Sequence, residues 1–297
     1  METTNNDLVE LLGESPSGAY YGFARRLRGA HNNYVATQLL PSDHIRTVFV
    51  KSNAPTPQDP TAPKQFERER AVLRILKERN ATNILYPIDE FRLNGTDYLV
   101  FPLLTGRDLF HVCTGKNLTT LETLDVLRGM APTVTQAHEA SVYHNDIKPE
   151  NLFAIAGTTL SNRIGTVQLF DWGVAHHPSL PRLAKEGFFV GSLQYVPPET
   201  LKQTGGAGSP TSDIYATAGT AYMLITGNAP NTGTTPQQIY ANLIGGNAFQ
   251  PTSRDTELLG KHVLAIIKAG LSPDPRDRPD SIQFFVREFA AAVSKDS

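Results

Sequence analysis

The chain has 297 residues, of which 40% are hydrophobic and 19% charged, and its formal net charge is −2. This composition is typical of a soluble globular protein with two lobes or two small domains. The near-neutral charge excludes a strong global attraction to nucleic acid or to an anionic membrane surface. The one cysteine, Cys113, has no partner for a disulfide, and no apolar run reaches the roughly 20 residues that span a bilayer. We therefore expect a cytoplasmic protein with no secretory signal, no nucleic-acid partner and no membrane insertion.

The first 50 residues are predicted to be rich in strands. A turn cluster that contains Gly13, Ser15 and Gly18 precedes an aromatic run at 20–23. A second run of β-branched and aromatic residues follows at 47–50, and both runs are typical of strands.

Three stretches are predicted to lie outside the regular elements. The segment 52–63 is rich in proline and polar residues, so it is predicted to be an exposed loop. The stretches 25–45 and 155–167 are predicted to be insertions in strand connections. Their role is left open, since such loops either dock partners or are simply tolerated.

A helix is predicted over FERERAVLRILKER, because Phe66, Leu73 and Leu76 recur at helical spacing. Glu69 lies three residues after Phe66 and four before Leu73, so it shares their inward face. An acid on that face needs a cation or a site that solvates it. The alternative is a glutamate at the helix edge that reaches water.

The remaining patterns predict a change from strands to helices along the chain. TDYLVFPLL is typical of a buried strand that ends at a proline, and helical patterns predominate from about residue 120. One of these helices is predicted over ELLGKHVLAIIKAG. A loop-rich centre at 141–200 interrupts them, so we expect an α+β protein with a cleft between two lobes.

The loop-rich centre carries the side chains with catalytic chemistry. Asp146, Asn151 and Asp171 are hard oxygen ligands, which suit magnesium. Lys148 lies two residues from Asp146 and can hold a transferring phosphate as a point charge. Each of these residues alone is equally compatible with a structural role, for example Lys148 as the counter-ion of the acids.

In order and spacing, the central motifs resemble the eukaryotic-type protein-kinase family of the serine/threonine class. The five matching motifs are His144-x-Asp146-x-x-x-x-Asn151, Asp171-Trp172-Gly173, Pro197-Pro198-Glu199, Asp213 and Arg278. The resemblance extends over residues 11 to about 290. It implies a bilobal fold, with a small strand-rich N-lobe, a larger helical C-lobe and the active site between them.

The resemblance also implies the domain boundaries. Residues 1–297 are expected to form a single kinase domain, with the N-lobe at 11–101, the hinge at 102–106 and the C-lobe at 107–293. Glu199 and Arg278 are expected to form an ion pair that braces the C-lobe.

The roles in the C-lobe follow from the same resemblance. Asp146 is expected to accept a hydrogen bond from the substrate hydroxyl, and Lys148 to stabilise charge on the moving phosphoryl group. Asn151 and Asp171 are expected to hold Mg²⁺, with Mn²⁺ as a second candidate. Asp213 is expected to steady the catalytic loop from beneath.

The roles in the N-lobe concern ATP, the implied phosphate donor. Lys51 ends a strand and is expected to grip the α- and β-phosphates while Glu69 holds it. The resemblance places a phosphate loop on Gly13, Ser15 and Gly18.

Adenine is expected at the hinge. Pro102 has no N–H group but keeps its carbonyl, so the donor to adenine is expected from Leu104 or a neighbour.

The position of Lys148 implies a substrate class, because in this family a lysine there marks serine/threonine kinases. A protein substrate with a serine or threonine acceptor is expected, together with autophosphorylation. The sequence leaves the physiological substrate and the oligomeric state open.

Four departures from the family pattern qualify this reading. Ser15 replaces a loop glycine, and Phe49, together with Tyr20 and Phe101, is expected to crowd the adenine pocket. These features motivate the alternative of a pseudokinase that binds nucleotide or protein as a scaffold.

The other two departures lie in the C-lobe. Trp172 replaces a phenylalanine. Asn145 replaces the arginine that often holds a phosphorylated activation loop, which predicts activity without such phosphorylation.

Overall fold

The computed structural model describes residues 8–9, 13–27, 32–55, 60–156, 166–183, 192–202 and 208–296. The chain divides into two compact units. The N-terminal unit comprises Met1–Arg74 and Leu85–Leu104, and the C-terminal unit comprises Ile75–Ile84 and Thr105–Ser297. The lobe boundaries expected from the sequence stay predictions.

Ten strands and nine α-helices lie within the described residues. The strands are β1 (Leu8–Val9), β2 (Gly13–Glu14), β3 (Tyr20–Arg26), β4 (Asn33–Leu39), β5 (Ile45–Ser52), β6 (Asp89–Leu93), β7 (Thr96–Pro102), β8 (Gly106–Asp108), β9 (Leu152–Ile155) and β10 (Val167–Leu169). The helices are α1 (Ala62–Glu78), α2 (Leu109–Cys113), α3 (Thr120–Glu139), α4 (Pro198–Lys202), α5 (Pro210–Thr226), α6 (Pro236–Ile244), α7 (Ser253–Leu259), α8 (Lys261–Gly270) and α9 (Ile282–Asp296). Strands therefore concentrate before residue 105 and helices after it, as the α+β prediction requires.

The strands before residue 105 form one antiparallel sheet in the N-terminal unit. Its order is β1-β3-β4-β5-β7-β6, and β2 pairs with β3. Aromatic side chains pack on one face of the sheet. The ring of Phe91 stacks on Tyr21 at 4.6 Å and on Tyr98 at 4.8 Å between centroids. Val48 and Val50 complete this core, since alternate residues of β5 point to one face.

Strand β4 corrects the prediction of an insertion over 25–45. Asn33–Leu39 pairs with β3 on one side and with β5 on the other, so this stretch belongs to the sheet. Tyr34 and Ala36 alternate inward from it, which is the period-two signal of a half-buried strand.

The end residues of the two other predicted loops belong to strands or to a helix. The predicted loop at 52–63 overlaps regular structure at both ends, because β5 ends at Ser52 and α1 begins at Ala62. Of the predicted insertion at 155–167, residues 157–165 lie outside the described part of the chain.

A half-buried carboxylate connects the turn before β3 to the sheet. Asp89 accepts hydrogen bonds from Ser15 Oγ at 2.7 Å, Ser17 Oγ at 2.8 Å and Tyr21 Oη at 2.7 Å. Burial alone would raise the pKa of Asp89, but the hydrogen bonds from Ser15, Tyr21 and Ser17 hold that pKa below its usual value. The ionised carboxylate therefore stabilises the N-terminal unit.

Helix α5 lies at the centre of the C-terminal unit, and its side chains are almost all buried. Its ends follow from the sequence. Ser209 caps the first turn by accepting a hydrogen bond from the Ser212 N–H at 3.1 Å, and Pro210 occupies the first turn. Gly227 ends the helix with φ +77°, a conformation that favours glycine.

The helix predicted over ELLGKHVLAIIKAG is wrong as a single element. Gly260 has φ +76° and separates α7 from α8. Asp296 then accepts hydrogen bonds from the backbone N–H groups of His262 and Val263, both at 2.9 Å. A carboxylate at this position satisfies the first N–H groups of α8, so the chain can begin a second helix.

The Asp89 network predicts a pH-dependent loss of stability. Asp89→Asn should lower the free energy of unfolding by about 1–3 kcal/mol at pH 7, because it weakens three hydrogen bonds to a charged group. Since the folded pKa lies below the unfolded value of about 3.9, the contribution is present above that value and is lost as the pH falls through the folded pKa. Urea unfolding of both proteins at pH 7 and near pH 3 measures the difference.

Glu90→Gln is the matched control, because Glu90 is exposed and bonds to the exposed Arg74. That variant should unfold within about 0.5 kcal/mol of the wild-type protein, as surface ion pairs do. A wild-type stability for Asp89→Asn at pH 7 would contradict the proposed role of the network.

Candidate active site

The predicted catalytic residues of the central loop form one cluster in the C-terminal unit. Lys148 Nζ donates to Asp146 Oδ2 at 2.6 Å and to Ser192 Oγ at 2.8 Å. Asn151 Nδ2 donates to the Asp146 backbone oxygen at 2.8 Å and to Asp146 Oδ2 at 3.0 Å. Oδ2 of Asp146 is therefore shared by a cation and an amide.

The other oxygen of Asp146 is in a different position. Oδ1 is buried and has no hydrogen-bond partner among the described residues. A buried carboxylate oxygen without a partner is costly, so it marks either strain or a site for an incoming donor. The acidic side chain thus has one oxygen fixed by the protein and one buried oxygen without a hydrogen-bond partner among the described residues.

The backbone of this loop is held by Asp213, the residue that the sequence analysis placed beneath it. The Asp213 carboxylate accepts hydrogen bonds from the N–H groups of His144 and Asn145, both at 2.9 Å. Its Oδ2 also lies 2.8 Å from His138 Nε2. Burial alone would raise the pKa of Asp213, but its contacts with His138, His144 and the Asn145 N–H hold that pKa below its usual value. The carboxylate is therefore charged, and this role is confirmed.

Asp171 is placed next to the loop through its backbone neighbours. The Phe170 N–H donates to the Asn151 carbonyl at 3.2 Å, which brings the two predicted metal ligands together. Asp171 itself has φ +67°, which is unusual for a residue other than glycine and typical of functional sites.

His144 supports this arrangement from the buried side. Its Nε2 lies 3.1 Å from the Phe170 carbonyl, and its ring lies 4.6 Å from that of Trp172. Burial lowers the pKa of His144, although the charges of Asp213, Asp146 and Asp171 oppose the shift. A neutral imidazole at this position acts as a packing and hydrogen-bonding group.

Asn145 occupies the position at which the resemblance expects an arginine. It has φ +65°, and its Nδ2 donates to the Val174 carbonyl at 3.4 Å. A Cβ atom added to Gly208 would lie only 1.9 Å from Asn145 Oδ1, so the chain packs closely on this amide. The asparagine thus contacts the segment after Asp171 through a neutral group.

The predicted ion pair between Glu199 and Arg278 is confirmed. The guanidinium donates to both carboxylate oxygens, at 2.6 and 2.8 Å, and to the Thr211 carbonyl at 3.0 Å. The Arg278 side chain has no solvent exposure. This bidentate geometry fixes the start of α4 to the C-terminal unit.

In the N-terminal unit, the acid on the inward face of α1 has the cation that it needs. Lys51 Nζ donates to Glu69 Oε2 at 2.7 Å, with side-chain exposures of 16% and 6%. This confirms the predicted pair. Glu69 therefore restrains the direction of the lysine ammonium group.

The phosphate loop predicted on Gly13, Ser15 and Gly18 is wrong in position. Tyr20, directly after this turn, pairs with Leu39, which pairs with Ile45.

Lys51 lies six residues beyond Ile45 on β5, roughly 20 Å away at about 3.3 Å per residue. The predicted turn therefore lies at the far end of the sheet from Lys51. The hydroxyl of Ser15 in this turn donates a hydrogen bond to Asp89.

The sheet register identifies a different connection beside Lys51. Asn33 pairs directly with Lys51, and the Ser52 N–H donates to the Asn32 carbonyl at 2.9 Å. The connection between β3 and β4 therefore reaches the sheet at the lysine, and its residues 28–31 lie outside the described part of the chain. The sequence prediction missed it because the earlier turn has more glycine and serine.

The expected aromatic crowding is only partly present. Phe49 pairs with Phe101 across β5 and β7, with ring centroids 6.1 Å apart. Tyr20 is 49% exposed and belongs to the other end of the sheet, so its expected part in the pocket is wrong.

Pro102 ends β7 opposite Val48, and Leu104 is the last residue of the N-terminal unit. Their contact with adenine stays a prediction.

The sequence did not predict that Ser192 contacts the catalytic lysine. Its hydroxyl contacts the amine of Lys148, 44 positions earlier in the chain. Only its place shortly before the Pro197-Pro198-Glu199 motif could have drawn attention to it.

A magnesium ion requires hard oxygen ligands, and the cluster offers them. The amide nitrogen of Asn151 is used on Asp146, which directs its amide oxygen away from that carboxylate. Together with the Asp171 carboxylate, this amounts to one amide and one acid, a set that Mg²⁺ accepts when phosphate oxygens complete its shell. Within the described residues, no group of three or more histidine, cysteine or acidic side chains could hold a metal by itself.

None of the described helices combines the length and apolarity of a membrane span. The cytoplasmic location expected from the sequence stays a prediction.

Comparison with known proteins gives the same family as the sequence motifs. The model of the protein kinase domain matches residues 35–290. A probable serine/threonine-protein kinase MARK-C of Dictyostelium discoideum is 26% identical over 248 residues, which cover 82% of this chain and 29% of that protein. The CBL-interacting protein kinase 21 of Oryza sativa subsp. japonica is 29% identical over 243 residues, 78% of this chain and 43% of that protein.

A bacterial relative shows the same similarity. The serine/threonine-protein kinase PknA of Mycobacterium tuberculosis is 31% identical over 178 residues, 58% of this chain and 39% of that protein. The chain spans less than half the length of these three relatives. With the family model matched over most of its length, the chain belongs to the protein kinase domain family.

Proposed function

We propose that the chain is an active protein serine/threonine kinase, which transfers the γ-phosphoryl group of ATP to serine and threonine hydroxyls. This proposal rests on the different surroundings of the two carboxylate oxygens of Asp146. Lys148 and Asn151 fix Oδ2, while Oδ1 is buried without a partner among the described residues. A hydroxyl group of a protein substrate is the donor that Oδ1 lacks.

In the reaction, Asp146 Oδ1 accepts the hydrogen bond of the acceptor hydroxyl and orients its oxygen. That oxygen forms a bond to the γ-phosphorus while the bond from phosphorus to the bridging oxygen of ADP breaks. The hydroxyl proton passes to Asp146 or to the phosphoryl group. A carboxylate is a weak base, but the transition state is loose, so orientation and charge neutralisation contribute most of the rate.

Lys148 is assigned to the charge of the moving phosphoryl group. Its ammonium group is already held between Asp146 and Ser192, so it needs little reorganisation when the charge develops. Removal of one such preorganised donor typically lowers the rate about 100-fold or more.

Members of this family use ATP with Mg²⁺. Asn151 and Asp171 are assigned as the residues that would hold the ion, and Mn²⁺ accepts the same oxygen ligands. The bound ion would supply positive charge to the phosphates.

Lys51 is assigned to the α- and β-phosphates, with Glu69 restraining its direction. The sheet register favours the β3–β4 connection as the phosphate loop, since it reaches the sheet beside Lys51. Adenine is assigned to Pro102 and Leu104. The pseudokinase alternative was motivated by Ser15, Tyr20, Phe49 and Phe101, and this arrangement removes Ser15 and Tyr20 from that set.

Phosphorylation of casein tests the proposed function. With ATP, Mg²⁺ and dephosphorylated casein, the wild-type protein should produce phosphoserine and phosphothreonine but no phosphotyrosine, as read by tandem mass spectrometry. Asp171→Ala should reduce the rate about 100-fold or more, because it removes a charged metal ligand. Asp280→Ala, at an exposed aspartate, should leave the rate unchanged.

A protein that melts at a higher temperature with ATP yet leaves casein unmodified would instead be a nucleotide-binding pseudokinase. Phosphotyrosine on casein would contradict the assigned substrate class.

The neutral contact of Asn145 with Val174 predicts activity without phosphorylation of the activation segment. Protein treated with a phosphatase, and shown by intact mass to carry no phosphate, should phosphorylate casein with no lag. Protein incubated beforehand with ATP and Mg²⁺ is the matched sample and should give the same initial rate. A lag that this incubation abolishes would mean that phosphorylation activates the enzyme.

A further inference from the structure

Asn231 is a buried polar residue in the connection between α5 and α6, and it is 1% exposed. Its Nδ2 donates to the carbonyl oxygens of Leu193 and Val196, both at 2.9 Å. Its backbone N–H donates to the Gln194 carbonyl at 3.3 Å. One asparagine therefore holds three carbonyl groups of the turn 193–196.

This turn begins at the catalytic cluster. Ser192, the residue before it, accepts a hydrogen bond from Lys148 Nζ through its hydroxyl. Its carbonyl accepts hydrogen bonds from the N–H groups of Tyr195 and Val196. Burial raises the pKa of Tyr195, and the negative charges of Glu150 and Asp146 raise it further. The turn thus begins one residue after a hydroxyl that contacts Lys148, and Lys148 in turn contacts Asp146.

The amide of Asn231 is itself oriented from the core of the C-terminal unit. Tyr215 Oη donates to Asn231 Oδ1 at 2.6 Å, which fixes which end of the amide faces the turn. The guanidinium carbon of Arg278 lies 4.8 Å from the centroid of the Tyr215 ring, and Arg278 also binds Glu199. Tyr215 in the core therefore orients the Asn231 amide, and that amide binds the carbonyl groups of the turn.

We propose that Asn231 is a positioning residue for the protein acceptor, because it fixes the turn 193–196 beside Lys148. The acceptor segment then meets a rigid surface, with its hydroxyl directed at Asp146. This inference rests on the proposed kinase function. A displacement of about 1 Å is enough to impair a reaction that depends on orientation, so the turn needs such a restraint.

This role predicts that loss of Asn231 affects the use of the protein acceptor but not the binding of ATP. Loss of Asn231 releases the turn but leaves Asp146, Lys148, Asn151 and Asp171 in place. Use of the protein acceptor should suffer, while the enzyme's affinity for ATP and its slow transfer of phosphate to water should not. A residue needed only for folding would reduce all of these together.

Steady-state kinetics of Asn231→Leu test the inference. Leucine has a similar volume but no N–H group for the two carbonyls. With casein as the acceptor, the KM for casein should rise about tenfold, which corresponds to about 1.4 kcal/mol. The KM for ATP and the hydrolysis of ATP without casein should stay at the wild-type values.

Two further variants keep the test decisive. Tyr215→Phe removes only the hydroxyl that orients the amide, so it should raise the KM for casein in the same direction by about two- to threefold, even if Asn231→Leu fails to fold. Asn228→Ala lies in the same connection but bonds to Asp255 at 3.1 Å, and it should leave the KM for casein unchanged.

Each remaining outcome is distinct. A wild-type protein that transfers no phosphate to casein overturns the proposed function and this inference with it. An active wild-type protein with an unchanged KM for casein in both Asn231→Leu and Tyr215→Phe overturns this inference alone. Parallel losses of ATP hydrolysis and casein phosphorylation would assign Asn231 a structural role and overturn it as well.

Discussion

The carboxylate of Asp213 accepts two hydrogen bonds from the backbone of the catalytic loop, at the N–H groups of His144 and Asn145. It lies on α5, whose side chains are almost all buried, so the loop is attached to the core of the C-terminal unit. Asn145 adopts φ +65° there, a conformation that costs free energy in isolation and persists because the carboxylate bonds to its N–H group. The position of Asp146, one residue later, depends on this contact.

The features of the fold and the site that the sequence predicted are those that a local pattern or a motif in the sequence indicates. Glu69 lies on an apolar helix face, and such an acid needs a cation, which Lys51 supplies at 2.7 Å. The pair of Glu199 and Arg278 and the role of Asp213 followed from motifs in a fixed order. The change from strands to helices followed from hydrophobic periodicity, which is a local signal.

The parts that the sequence did not predict depend on pairing between distant segments. The turn at Ser15 has the composition of a phosphate loop, but only strand register shows that it lies roughly 20 Å from Lys51. The sequence predicts an insertion at strand β4 because its alternating pattern is short, although its partners β3 and β5 are its neighbours in the chain. Ser192 and Asn231 are single polar residues, and only the tertiary fold brings them to Lys148 and to the turn 193–196.

The central claim is that the unpartnered oxygen of Asp146 receives the acceptor hydroxyl. Its most direct test is the intact mass of the purified protein after incubation with ATP and Mg²⁺. The wild-type protein and Asp280→Asn, at an exposed aspartate, should both gain phosphate. Asp146→Asn should gain it about 100-fold more slowly or not at all, since it lacks the charged oxygen that orients the acceptor hydroxyl. Equal rates of phosphate gain in the wild-type protein and Asp146→Asn would contradict the account.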